Sequence, residues 1–167
     1  MHGTPFPHFS YHVANCYDSA DLDRALAPLI ADMAPLRART GGLGVFSGAA
    51  PVLFVAVVRT AELSALHRMV TAAVTPAAHG PVAYYEPEQW IPHITLAMGD
   101  TDAERVAAAM RLLADRDFTW EVEVDTLAWI AEAPGGQALR TRWQLGARPR
   151  GLAGGGRPDT ERRPRRA

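Results

Sequence analysis

A chain of 167 residues with 48% hydrophobic side chains is long enough for one domain, or two small lobes on one core, and too apolar to be disordered or fibrous. Its formal net charge of −1 hides an uneven distribution: residues 147–167 hold seven Arg against Asp159 and Glu161, leaving ten basic and sixteen acidic residues in the acidic body before them. Every basic residue is arginine, which excludes an enzyme that stores a nucleotide on lysine and a P-loop NTPase with its phosphate-binding lysine.

Cys16 is the sole cysteine, so an internal disulfide and a cysteine-cluster zinc site are excluded as well. The longest apolar run, Pro51 to Val58, is far too short to cross a bilayer and suits a buried strand. The opening MHGTPFPH lacks the basic start and apolar stretch of a secretory signal, and a cytoplasmic protein is the expectation.

Taken in order, His8 to Ala14 alternates as a strand, with Phe9, Tyr11 and Val13 on one face and His8, Ser10 and His12 on the other. Asp18 and Ser19 cap a helix through Leu22, Leu26, Leu29 and Ile30, in which Pro28 predicts a kink or an early end. Leu36 to Phe46 is a glycine-broken extended segment, and Pro51–Val58 is a central strand. Thr60 caps the next helix, with Leu63, Leu66, Met69, Val70 and Val74 as its buried stripe. His67, beside Arg68, reads as a surface residue of that helix.

Pro76 to Gln89 is a surface loop, rich in Pro and Gly. Ile91 to Met98 is a strand, and Asp100 and Thr101 cap a helix from Asp102 to about Asp115 with Val106, Met110 and Leu113 inward. Strands near Thr119–Ile130 and Ala138–Leu145 follow, joined at Pro134-Gly135-Gly136. Adjacent strands able to form hairpins, mixed with helices, indicate α+β rather than a doubly wound sheet. Residues 1–146 form the expected domain, and 147–167 a disordered Arg-rich tail whose charge suits RNA phosphate.

Two segments repeat one pattern: Pro7-His8-Phe9-Ser10-Tyr11 and Pro92-His93-Ile94-Thr95-Leu96 both read Pro-His-apolar-hydroxyl-apolar. On a strand, positions i and i+2 share a side, so each His is paired with a hydroxyl while Phe9 or Ile94 anchors the core. Such a set suits phosphodiester chemistry. One neutral His removes a proton from the attacking oxygen, the other, protonated, donates to the leaving oxygen, and Ser10 and Thr95 donate to the non-bridging oxygens. No carboxylate cluster for magnesium accompanies the pair, so metal-free catalysis is the simpler expectation. A third triplet, His2-Gly3-Thr4, is set aside because glycine gives no strand anchor and the triplet lies at the chain's end.

With GLGVF at 42–46, PVLFVAVV at 51–58 and YYEPEQWIPHITLA at 84–97, the paired PHFSY and PHITL segments resemble bacterial 2H phosphoesterases of the 2′-5′ RNA ligase-like group. The resemblance spans roughly residues 5–146. It implies a bilobal α+β fold with two antiparallel or mixed sheets, pseudo-two-fold symmetry and an active groove between lobes, here with a first lobe lacking its opening strand and helix. It implies opening of 2′,3′-cyclic phosphates on RNA ends or nucleotides, or ATP-independent, reversible 2′-5′ joining, with no cofactor. By the same resemblance His8 and His93 are the catalytic pair, and Ser10 and Thr95 bind phosphate.

Lesser candidates surround them. His12 either faces the groove or packs behind it, and Tyr85 and Trp90, like Tyr84, either stack on a base or anchor the loop. A zinc site from His8, His12 and His93 finds no acidic or Cys ligand at a matching offset. The alternative from another class is a non-catalytic RNA-binding module that relies on the Arg-rich tail.

Overall fold

The computed structural model describes residues 6–134 and 136–146. The Arg-rich tail and the His2-Gly3-Thr4 triplet lie outside them. The order is β1 (Ala14–Tyr17), α1 (Ser19–Asp32), β2 (Leu36–Phe46), β3 (Val52–Val57), α2 (Ala61–Val74), β4 (Ala78–Pro81), β5 (His93–Ala97), α3 (Ala103–Leu113), β6 (Glu121–Val124), β7 (Thr126–Ala133) and β8 (Gly136–Gln144). Short 3-10 turns at Thr75–Ala77 and Ala83–Tyr85 flank β4. The fold is α+β, and every strand pair is antiparallel: a four-stranded sheet in the order β5-β3-β2-β6, and two ribbons, β1-β4 and β7-β8. No helix among the described residues is long and apolar enough to cross a membrane.

The helix caps follow local chemistry. Asp18 accepts from the amides of Ala20 and Asp21, and Thr60 accepts from Leu63, each satisfying donors that a helix start leaves unpaired. In α3 the cap is Asp102, two residues beyond the expected Asp100, and it accepts from Arg105 at 2.8 Å. Pro28 neither ends α1 nor shortens it. The residue is exposed, so the carbonyl it leaves without an amide partner is on the solvent side.

The core lies between α1, α2 and the strands. Leu22, Leu26 and Ile30 of α1 meet Leu63, Leu66, Val70 and Val74 of α2, and Leu36, Ala38 and Val57 of the four-stranded sheet close the cluster. In β2 the alternation is strict at first: Leu36, Ala38 and Thr40 are buried while Arg37 and Arg39 face water. The pairing of β2 with β3 shifts register between Thr40 and Leu43, where Gly42 takes φ +99°, a conformation a side chain would oppose. α3 is lightly attached, with Val106 its single buried residue and Met110 and Leu113 only half-buried.

Four expectations are corrected, the first being that Pro76 to Gln89 is a loop throughout, since Ala78–Pro81 within it pairs with β1. Residues 8–13 form no ladder, and the strand begins at Ala14. Its partner β4 ends at Pro81, opposite Ala14, and a proline has no N–H with which to continue the pairing. Only the Val82 amide reaches further, donating to the Val13 carbonyl at 2.9 Å. Residues 119–130 are not one strand: Asp125 divides them between two sheets, its carboxylate accepting from Thr126 and Gln144 and its carbonyl from the Leu145 amide. Met69 is 48% exposed, and His67 takes the place in the α2 stripe expected of it.

Thr40 ties β2 to the chain entering β6. It is 1% exposed, its hydroxyl donates to the Phe118 carbonyl at 2.6 Å, and it accepts from the Trp120 amide at 2.7 Å. Thr40→Val keeps the shape and removes the oxygen, leaving an amide and a carbonyl without this partner. A loss of about 1–3 kcal/mol in chemical denaturation is expected, and an unchanged midpoint would show that water replaces the hydroxyl.

Candidate active site

The second motif sits on β5, at one edge of the four-stranded sheet. Pairing with β3 sets Ile94 opposite Val55, His93 opposite Ala56 and Thr95 opposite Phe54. Ile94 therefore packs against the core while His93 and Thr95 share the other face, as the period of two requires. His93 lies edge-on to Phe46 with ring centroids 4.9 Å apart, and 5.3 Å from Phe54. Phe54 lies across Gly44, its cross-strand partner: a Cβ there would stand 2.5 Å from the phenyl ring, so only glycine admits this arrangement.

The first motif is held differently. Without a ladder, its backbone is fixed by side chains from elsewhere. The indole Nε1–H of Trp90 donates to the Ser10 carbonyl at 2.9 Å, and Nε2–H of His67 donates to the Tyr11 carbonyl at 2.8 Å. The two donors are stacked on each other, with ring centroids 3.9 Å apart and planes 10° from parallel. Tyr11 stacks on Trp90 at 5.7 Å, and Phe9 lies 6.5 Å from the same ring. Arg59 also holds this assembly, donating to the carbonyls of Trp90 and Pro87 with its guanidinium 5.8 Å from the indole.

Both motif histidines repeat one local contact. His8 Nδ1 lies 3.2 Å from the Phe6 carbonyl, and His93 Nδ1 lies 2.7 Å from the Ile91 carbonyl, each two residues back. A carbonyl only accepts, so each Nδ1 carries the hydrogen in this contact.

The two motif segments meet through Trp90, three residues before His93 and bonded to Ser10. Their side chains are not all gathered in one cavity. A space of about 240 Å³ is bounded by residues 8–14, the facing sides of α1 and α2, and the β7-β8 ribbon; His8, Ser10 and His12 line it, His93 and Thr95 do not. No group of three or more His, Cys, Asp or Glu side chains is arranged to hold a metal among the described residues.

The lesser candidates divide by burial. Trp90 is 1% exposed with its ring stacked on His67, so it packs rather than offering a face to a base. Tyr85 is half-buried against the core, and burial raises its hydroxyl pKa. Tyr84 is 75% exposed. His12 hydrogen-bonds through Nδ1 to the Tyr17 hydroxyl at 2.6 Å; burial lowers its pKa against the pull of Glu86, and burial also pushes Tyr17 up to about 12.

The residue that sequence reading misplaced is His67, which is fully buried rather than on the surface. A signal existed: at about 100° per residue, position 67 falls between Leu63 and Thr71 on the buried stripe, whereas position 69 falls off it. The presence of Arg68 next door says nothing about which way residue 67 points.

With the geometry in hand, a scan of family models matches residues 2–135 to the 2′-5′ RNA ligase superfamily. The chain belongs to that superfamily, the 2H phosphoesterases. A search of curated proteins finds no match. The matched span contains both His-x-Ser/Thr segments and the Trp90, His67 and Arg59 assembly, so what holds the first motif of this 2H protein lies within the family region.

The buried histidine predicts a pH dependence. Burial lowers the His67 pKa, helped by the charges of Arg59 and His12 and opposed by the backbones of Tyr11 and Tyr85. The unfolded chain takes up a proton near pH ~6.5 that the folded protein resists. Stability is therefore full above that pH and falls as pH drops toward the lower folded-state value, with His12 adding in the same direction. Denaturant midpoints should decline between about pH 7.5 and 5.5, less steeply in His67→Gln, and a wild-type midpoint that rises over this interval contradicts the assignment.

Proposed function

We propose that this 2H protein is an enzyme acting on RNA-type phosphodiesters, opening 2′,3′-cyclic phosphates or making and breaking 2′-5′ linkages, with His8 and His93 as its acid–base pair. Superfamily membership supplies the general class of phosphoester chemistry and RNA-type substrates. The observation that carries the finer reading is the matched contact of the two imidazoles. Two histidines of one repeated motif each give Nδ1–H to a carbonyl two residues back, and on this reading Nε2 carries the proton transfer in both.

In the hydrolytic direction, neutral Nε2 of one histidine takes a proton from water as its oxygen bonds to phosphorus. The bond from phosphorus to one ribose oxygen breaks, and that oxygen receives the proton from Nε2–H of the other histidine. Each histidine ends in the state in which its partner began, and exchange with solvent resets the pair. Ser10 and Thr95 donate hydrogen bonds to the non-bridging oxygens, where charge builds in the transition state. On this reading residues 1–146 form one bilobal unit, and the groove between lobes receives an RNA end or a cyclic nucleotide without a metal or other cofactor.

General acid or base catalysis by one positioned histidine is worth roughly 10²–10⁴-fold. His8→Ala and His93→Ala should therefore each lower turnover of a 2′,3′-cyclic nucleotide by about that factor, with circular dichroism unchanged and EDTA present throughout. Wild-type kcat/KM should peak between two pKa values. Full activity in either variant, or activity that zinc or magnesium restores after EDTA, contradicts the scheme.

A further inference from the structure

We propose that His67 and Trp90 are positioning residues for the first motif, a pair of buried side-chain donors that take the place of a neighbouring strand. The proposal rests on the reading of His8 as a catalytic residue and extends it to two groups that do not touch substrate. A backbone segment that must present a reacting side chain needs its carbonyls satisfied and its dihedrals fixed. For the second motif, β3 does both through the ladder. For the first, pairing stops at Ala14 and Pro81, and the carbonyls of Ser10 and Tyr11 instead accept from Trp90 and His67.

Three features make this a clamp rather than ordinary packing. The donors address consecutive peptide units, the two immediately following the bond between Phe9 and Ser10, so they fix the chain just beyond the phosphate-binding hydroxyl and two residues after the catalytic imidazole. They are stacked face to face at 3.9 Å and both essentially inaccessible, so neither swings independently. Trp90 is in turn held by Arg59 through its carbonyl and lies three residues before His93, so the group that sets the first motif belongs to the segment leading into the second. A shift in the clamp changes the spacing of the two histidines without altering either one.

The test compares Trp90→Phe, which keeps a ring and loses the N–H, with His67→Ala and His67→Gln, whose amide retains a donor for the Tyr11 carbonyl. A displacement of about 1 Å at a reacting group costs on the order of 10²-fold. With a 2′,3′-cyclic nucleotide, kcat should fall roughly 10–100-fold in Trp90→Phe and His67→Ala, with KM little changed, and His67→Gln should recover most of it. A second readout needs no activity: chymotryptic cleavage after Phe9, followed by mass, should accelerate in Trp90→Phe and His67→Ala and return toward wild type in His67→Gln.

Wild-type kcat and wild-type cleavage in Trp90→Phe would overturn the clamp, as would a His67→Gln no better than His67→Ala. If His67→Ala fails to fold, Trp90→Phe and His67→Gln decide alone. A wild-type protein inert toward cyclic phosphates overturns the functional reading instead, and the cleavage pattern then decides the clamp by itself.

Discussion

The stacked pair of His67 and Trp90 is the constraint on which the first half of the site depends. Residues 8–13 join no ladder and bend at Tyr11, and a segment without a partner strand has no reason of its own to keep one shape in water. What holds them is a set of rings from two distant parts of the chain, one on α2 and one at the end of the loop before β5. Each hydrogen bond nets only about 1 kcal/mol, but the apolar faces of Phe9, Tyr11, His67 and Trp90 are buried together, and burial supplies the larger share. The arrangement carries a cost: the Tyr11 hydroxyl is buried with no hydrogen-bond partner among the described residues. Such a group costs free energy that a purely structural core avoids, and its presence beside the motif fits a place where position takes precedence over stability.

The two motifs show one sequence pattern supported by two kinds of physics. PHITL lies in a ladder whose register forces His93 and Thr95 onto one face. PHFSY has no ladder, and Phe9 and Tyr11 are held toward the core by their ring contacts with each other and with Trp90. The contact from histidine Nδ1 to the carbonyl two residues back likewise recurs in both. It involves three consecutive residues with proline in the middle, and proline restricts both its own φ and the residue before it. A short stretch can therefore set the tautomer of its histidine whatever sheet it joins.

Legibility in the sequence differed by element for identifiable reasons. The helices of residues 19–32 and 61–74 were readable because caps and apolar spacing act within a few residues, and β3 because a run of β-branched residues has no other use. The strand at residues 8–13 was over-read: its alternation is real, but a strand also needs a neighbour, and the proline that denies one lies at position 81. Asp125 was missed as a division between sheets because nothing near it in sequence announces that Gln144 and Leu145 will meet it. His67 reads as a surface residue by its polarity, whereas its position on the helix assigns it to the buried stripe. The doubled His-x-Ser/Thr pattern, together with the runs at 42–46, 51–58 and 84–97, identified the superfamily that the family model also matches.

By itself, then, the sequence determined the α+β class, the caps of the first two helices, the repeated motif and the family, since all of these are written in residues a few positions apart or in a pattern repeated whole. The tertiary structure alone decided that Trp90 and His67, separated by more than fifty residues from the carbonyls they serve in one case and eighty in the other, would stand in for a strand. It also decided that His8 and Ser10 border a cavity that His93 and Thr95 do not line. Long-range contacts of this kind depend on how separate elements fit in three dimensions, and no local run of side chains encodes that fit.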